Sequence, residues 1–273
     1  MEGWSRRAAM GALASSLVAA SRARAGTTGE QDAWPALAAQ IFEGRTLEDG
    51  TAVVAIDAPY RAEDAAVVPI ALRTLLQAGD PREVRKLTLV IDANPSPLAV
   101  TFTLGAGSHV DSIATRVRVD DYTTMHAVAE LSDDKLYVAS RFVKAAGGCS
   151  APALTLTADA VPLGTMRFRL LGSDETHATG GSREAQVMIP HPNYSGMQMN
   201  QLTRLYIPAQ FVQTLRVWQG ERMLFSAESG ISISENPSFR FDYRPNGAKE
   251  FRIEATDSTG KTFHDTFPVA TAS

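Results

Sequence analysis

The chain has a single cysteine, Cys149, set in Lys144-Ala145-Ala146-Gly147-Gly148-Cys149-Ser150-Ala151-Pro152. A lone thiol cannot close an internal disulfide. It is either a buried, inert side chain or free for covalent chemistry with another molecule. Nothing bulky flanks the sulfur, and Gly147 and Gly148 admit backbone angles that other residues avoid, so the segment is expected to bend and stand away from the fold. An unperturbed thiol has a pKa near ~8.5, and only its thiolate is nucleophilic. Lys144 is the one cation close in sequence. Free cysteines are also frequently buried, and on the residues alone both readings stay open.

The remaining chemistry-bearing residues are weaker. His109, His126, His177, His191 and His264 are scattered, without the close spacing of metal ligands, so no metal is expected. His191, between Pro190 and Pro192, reads as a turn or strand-end residue, and His126 as a core or edge position. Asp120-Asp121 and Asp133-Asp134 fall at apparent turns, where Asp bonds the local backbone. Arg116 and Arg118 share one face of a strand and could meet an anionic cargo, although a solvated face is the simpler reading. Met197-Gln198-Met199 is the one tight thioether pair, better explained by filler packing in a mobile loop than by copper. No phosphate-cradling glycine loop, serine-triad spacing or nucleotide signature occurs, and no cofactor is expected.

These residues must be positioned mainly by β-strands. A short helix is expected at Ala36 to Phe42. After it come short runs of period-two alternation broken by Asn, Asp, Gly and Pro, the pattern of antiparallel strands in a sandwich. Leu87, Leu89 and Ile91 share a face; Leu98, Val100, Phe102 and Leu104 do so after the turn Asn94-Pro95-Ser96-Pro97. Ile113, Val117 and Val119 follow, then an extended run from Leu136 to Lys144. Residues 147–164 are rich in Gly, Ala, Ser and Pro and divide two regions of similar strand content. Beyond them, Met166, Phe168 and Leu170 alternate with arginines, and a hairpin turns at Gln219 to Arg222. Strands are also expected at Phe239-Phe241, Phe251-Ile253 and Thr262 to Phe267. The fold class is therefore all-β, with two β-sandwich domains in tandem at 34–149 and 164–271, packed on each other and joined by a 150–163 linker. Extended, those fourteen residues span roughly 46–50 Å, enough to cross a domain.

Residues 1–25 differ from the rest. Arg6-Arg7 precede a short alanine-rich apolar run, and Ala23-Arg24-Ala25 offers small residues where a signal peptidase cuts. This is the layout of a secretory signal, with paired arginines suggesting the twin-arginine route. The run is too short for a stable anchor, which needs ~20 apolar residues. The mature protein is thus expected in the periplasm, with no membrane insertion after cleavage. A net charge of -4 gives no basis for a nucleic-acid partner.

Several ordered motifs resemble a known family. Val67-Val68-Pro69, Asn94-Pro95-Ser96-Pro97-Leu98-Ala99, Thr115-Arg116-Val117-Arg118, Val128 to Asp133, Phe142-Val143-Lys144 and Gly147-Gly148-Cys149 resemble the SoxY subunit of sulfur-oxidation carriers. Ile189-Pro190-His191-Pro192, Ile207 to Phe211, Ile233-Ser234-Glu235-Asn236-Pro237 and Phe239-Arg240-Phe241 resemble its SoxZ partner. The resemblance implies two immunoglobulin-like sandwiches and a carrier, not an enzyme. Cys149 would be the covalent attachment point for sulfur intermediates, with Gly147, Gly148 and Ser150 in the carrier arm. The implied partners are periplasmic Sox-type enzymes, or those of a quinoprotein dehydrogenase system, with which a fused subclass is associated. This chain departs from the family pattern after the cysteine. Ser150-Ala151-Pro152 replaces a terminal glycine pair and leads into the second half, so the arm is tethered at both ends. A competing reading is a non-covalent adaptor for an exported dehydrogenase, with Cys149 incidental. The two differ on whether Cys149 is exposed on a mobile segment.

Overall fold

Alternation of apolar and polar residues builds fifteen strands and one helix in the computed structural model, which describes residues 32–77, 79–152, 161–171 and 181–269. Helix α1 (Trp34–Ile41) opens the described chain. The first half continues as β1 (Leu47–Asp49), β2 (Val54–Asp57), β3 (Val68–Thr74), β4 (Val84–Ile91), β5 (Leu98–Leu104), β6 (Ser112–Val117), β7 (Thr123–Leu131) and β8 (Leu136–Val143). The second half holds β9 (Arg167–Leu171), β10 (Arg183–Met188), β11 (Val212–Gln219), β12 (Arg222–Ser229), β13 (Ser238–Tyr243), β14 (Glu250–Asp257) and β15 (Thr262–Pro268). The expected secretory segment, and residues 153–160 of the expected linker, lie outside the described residues. No helix among the described residues is long and apolar enough to cross a membrane.

The strands form two sheets: nine strands in the order β1-β8-β7-β4-β5-β12-β11-β14-β15, and six in the order β2-β3-β6-β13-β10-β9. The all-β expectation holds, and each half contributes strands to both layers. The junction differs from the expected packing of one finished sandwich on another. In the larger sheet β5 pairs antiparallel with β12, from Leu104↔Phe225 to Val100↔Ser229. In the smaller one β6 pairs with β13 at Ala114↔Arg240 and Ile113↔Phe241. The halves therefore meet edge to edge in both layers. Each covers an edge whose backbone donors and acceptors would otherwise stand open.

The side chains between the layers follow the same plan. Phe102 of the first half meets Phe225 and Phe239 of the second, with ring centroids 6.0 and 6.1 Å apart, edge to face. Phe225 in turn meets Phe241 at 5.0 Å. One apolar cluster runs from Val53 to Phe263 through the junction. Burying a phenylalanine is worth ~1.5–3 kcal/mol, so the halves hold one another together through their cores as well as their edges.

Candidate functional site

Beyond β6 the chain continues extended through Arg118, Val119 and Asp120, and here the cysteine turn docks. After β8, Lys144 N donates to Tyr60 O at 2.8 Å and Ala62 N to Lys144 O at 3.1 Å. Gly147 N then reaches Asp120 O at 2.7 Å, and Gly148 N reaches Val119 O at 2.9 Å. Gly147 turns at φ +78°, which glycine adopts without strain. Gly148 is required for a different reason. A Cβ there would stand 2.0 Å from Ala65 O and 2.7 Å from Val119 O, so only glycine permits this approach.

The second half clamps the turn from the other side. Ser195 Oγ donates to Cys149 O at 2.5 Å, and Gln198 Nε2 to Ala151 O at 3.1 Å. Cys149 has 0% of its surface exposed, whereas Ser150 is exposed and bonds back to Gly147 O at 3.3 Å. The expectation of a thiol standing away from the fold is therefore corrected. The glycines serve close docking, and the side chains that fasten the turn come from distant parts of the chain. Burial pushes the thiol up to about 12, with the negative charge of Asp120 and a hydrogen bond to it acting in the same direction and Arg118 opposing. A thiol in this state stays protonated at neutral pH and is a poor nucleophile.

Arg118 is the largest correction to the sequence reading. It is 0% exposed, because the cysteine turn lies over it. Its Nη1 donates to Gly148 O at 3.2 Å and its backbone N to Ser232 O at 2.7 Å. Nε and Nη2 have no hydrogen-bond partner among the described residues. Burial lowers its pKa, opposed by the negative charges of Glu235 and Asp64. The guanidinium remains charged, since an arginine does not deprotonate in a protein. Asn94 braces the arrangement: its Nδ2 donates to Arg118 O at 2.8 Å and Ser232 Oγ at 2.9 Å, and its Oδ1 accepts from Asp120 N at 2.9 Å. Cys149 thus sits at the seam of the two halves, beside a buried cation. Arg116, two residues earlier on the same face, is half-buried and donates to Asn236 O at 2.9 Å.

Two histidines form polar clusters of their own. His126 is held by Asp92 Oδ2 at 3.0 Å and Ser140 Oγ at 2.8 Å, with the Trp34 ring stacked on it at 3.6 Å. This cluster spans β7, β8 and the turn after β4, and pins α1 to the sheet. His191 is fully buried. Its Nδ1 meets Asn193 Oδ1 at 2.7 Å, and its Nε2 lies 3.5 Å from Asp257 Oδ2. Burial lowers its pKa, against the hydrogen bond to Asn193 and the nearby Asp257 carboxylate, which raise it. Sequence reasoning missed the partners of both histidines, and it missed Ser195 and Gln198 as clamps. Gln198 stands between the two methionines that drew notice, and its amide was the more informative side chain.

Comparison with known proteins assigns both halves. A family model described as sulfur oxidation protein SoxY matches residues 38–149, ending on Cys149, and one described as sulphur oxidation protein SoxZ matches residues 172–268. Among solved structures, the sulfur carrier protein SoxY from Chlorobium limicola f thiosulfatophilum is similar at 24% identity and a TM-score of 0.34, covering 41% of this chain and 91% of that one. A superoxide reductase (neelaredoxin) from Ignicoccus hospitalis, variant E23A, is similar at 12% identity and a TM-score of 0.31, covering 35% of this chain and 81% of that one. Comparison with the curated proteins finds no match. The chain is thus a single-chain fusion of a domain of the sulfur oxidation protein SoxY with one of the sulfur oxidation protein SoxZ.

Proposed function

We propose that this protein carries sulfur covalently on Cys149 and presents it to partner enzymes outside the cytoplasm, with the thiol kept docked and unreactive between transfers. The observation that carries this reading is the coincidence of the SoxY match's end with the lone cysteine, in a turn fastened across the seam to the SoxZ domain. By the exposure criterion alone a buried Cys149 would favour the adaptor, and docking and release reconcile burial with carriage by giving the sulfur two states. Docked, it is protonated and shielded; released, it returns to the ordinary thiol range near ~8.5 and can react. Loading then proceeds by exchange. The Cys149 proton passes to solvent, and the thiolate attacks a divalent sulfur of the donor. A new S–S bond forms as the donor's own S–S bond breaks, and the leaving group departs as an anion.

The chain acts as a substrate for other enzymes in this reading. Its partners are Sox-type enzymes or, for a fused chain, those of a quinoprotein dehydrogenase system. Arg6-Arg7 and the Ala23-Arg24-Ala25 site support export to the periplasm by the twin-arginine route. The test is sulfur-oxidation turnover with purified partner enzymes and Cys149→Ser in place of the native chain. Turnover should vanish. Full turnover in the serine variant would leave the cysteine incidental and favour an adaptor.

A further inference from the structure

A buried guanidinium with unused donors is costly unless it serves something. Desolvation disfavours the charge, and among the described residues Nε and Nη2 of Arg118 gain no hydrogen bond in return. The polar side chains of the seam, Asn94 and Ser232, are not their partners. Those groups instead satisfy one another, with Ser232 Oγ donating to Ser96 O at 3.0 Å and Asn94 spanning Arg118 O and Ser232 Oγ. The guanidinium is fixed on the cysteine side by Nη1, through the carbonyl that immediately precedes Cys149. Two donors of a planar fork are thus left unused on a buried guanidinium that is fastened to the cysteine turn and interacts electrostatically with Cys149.

We propose that Arg118 is the specificity-determining residue for the cargo, receiving the negatively charged end of a sulfur adduct on Cys149 through Nε and Nη2. The inference rests on the carrier reading and assigns to Arg118 the discrimination between adducts that end in an anion, which it holds, and neutral alkyl disulfides, which it does not. A guanidinium suits this role because its fork presents parallel N–H donors to an oxyanion and stays charged when buried. The free thiol is a neutral occupant, which leaves two donors idle. An anionic adduct would satisfy them and shift the turn toward its docked, protected state.

The full-length mature protein tests this without partner enzymes. Tetrathionate loads an anionic adduct: the Cys149 thiolate attacks a divalent sulfur, Cys–S–S–SO3⁻ forms, and thiosulfate leaves. Methyl methanethiosulfonate loads a neutral one, forming Cys–S–S–CH3 as methanesulfinate leaves. The release of each adduct by dithiothreitol is then timed in the native chain, Arg118→Gln and Arg118→Lys. A charge-assisted pair in a dry site predicts release of the thiosulfonate about tenfold or more faster in Arg118→Gln than in the native chain. Arg118→Lys should fall between, and the methyl adduct should change by less than about twofold. Should the variants fail to fold, the Arg118 Nε–H resonance in the native chain gives the same answer. It should shift and gain protection from exchange on loading with tetrathionate and not with the methyl reagent. Equal sensitivity of both adducts to residue 118, or an Nε–H signal indifferent to cargo charge, overturns the inference and leaves the carrier reading standing. Failure of either reagent to load Cys149 in the folded chain overturns both.

Discussion

Removing the clamp that the SoxZ domain places on the cysteine turn should release the thiol without unfolding the protein. Ser195→Ala deletes the donor to Cys149 O, and Gln198→Ala deletes the donor to Ala151 O. Each bond contributes ~0.5–1.5 kcal/mol net, so together they shift the docked–released equilibrium by about 2 kcal/mol. At 1.4 kcal/mol per factor of ten, the double variant should label about 30-fold faster than the native chain at pH 8, with little change in global stability. Gly148→Ala reaches the same end independently, since its Cβ would overlap Ala65 O and force the turn off. The assay is pseudo-first-order labelling with a small neutral thiol reagent, alongside unfolding curves for each variant. The pH profile separates routes. Reaction through the released state titrates with the free thiol near ~8.5, whereas reaction in place would titrate with the docked thiol at about 12. Labelling that is equal in native and clamp-deleted chains, or that tracks global unfolding, would refute the docked-and-released mechanism.

Three further outcomes follow from the same contacts. Asn94→Ala should destabilise the fold by about 2–4 kcal/mol in chemical denaturation, since it removes three hydrogen bonds at the seam, two of them buried, and takes from Asp120 N its side-chain acceptor. Cutting the chain between residues 152 and 161 should leave the halves co-eluting in size-exclusion chromatography, because both sheets and the Phe102 cluster cross the junction. The carboxyl of Asp257 is held down to about 2 from 3.8. Burial acts against this, and hydrogen bonds from Thr259, Gln210 and the backbone outweigh it. Its contribution to stability is present above pH ~4 and is lost as pH falls toward ~2. Thermal midpoints should therefore fall less steeply across that window in Asp257→Asn than in the native chain.

The strands were legible because local alternation encodes them. The hairpin of β11 and β12 appears at the turn from Gln219 to Arg222, and β13 on the face shared by Phe239 and Phe241. The edge-to-edge junction was not legible. The pairing of Phe225 with Leu104 leaves no mark on either strand, since an edge strand and an inner strand alternate alike. The cysteine setting failed for a related reason. Local composition describes the turn's freedom, but its burial is decided by Arg118, Ser195 and Gln198, which are remote in sequence. Arg118 also shows how a period-two reading misleads at a strand's end. Its face points away from the core, as alternation predicts, and the Gly147–Ser150 turn then covers that face.

Covalent carriage is tested most directly by the intact mass of this protein taken from the periplasm of its native host, with and without reductant. The account predicts a fraction heavier by whole sulfur atoms or sulfur oxyanions, mapped to Cys149 and discharged by reductant, and absent from Cys149→Ser. A chain carrying only free thiol at Cys149 while its host is oxidising sulfur would contradict it.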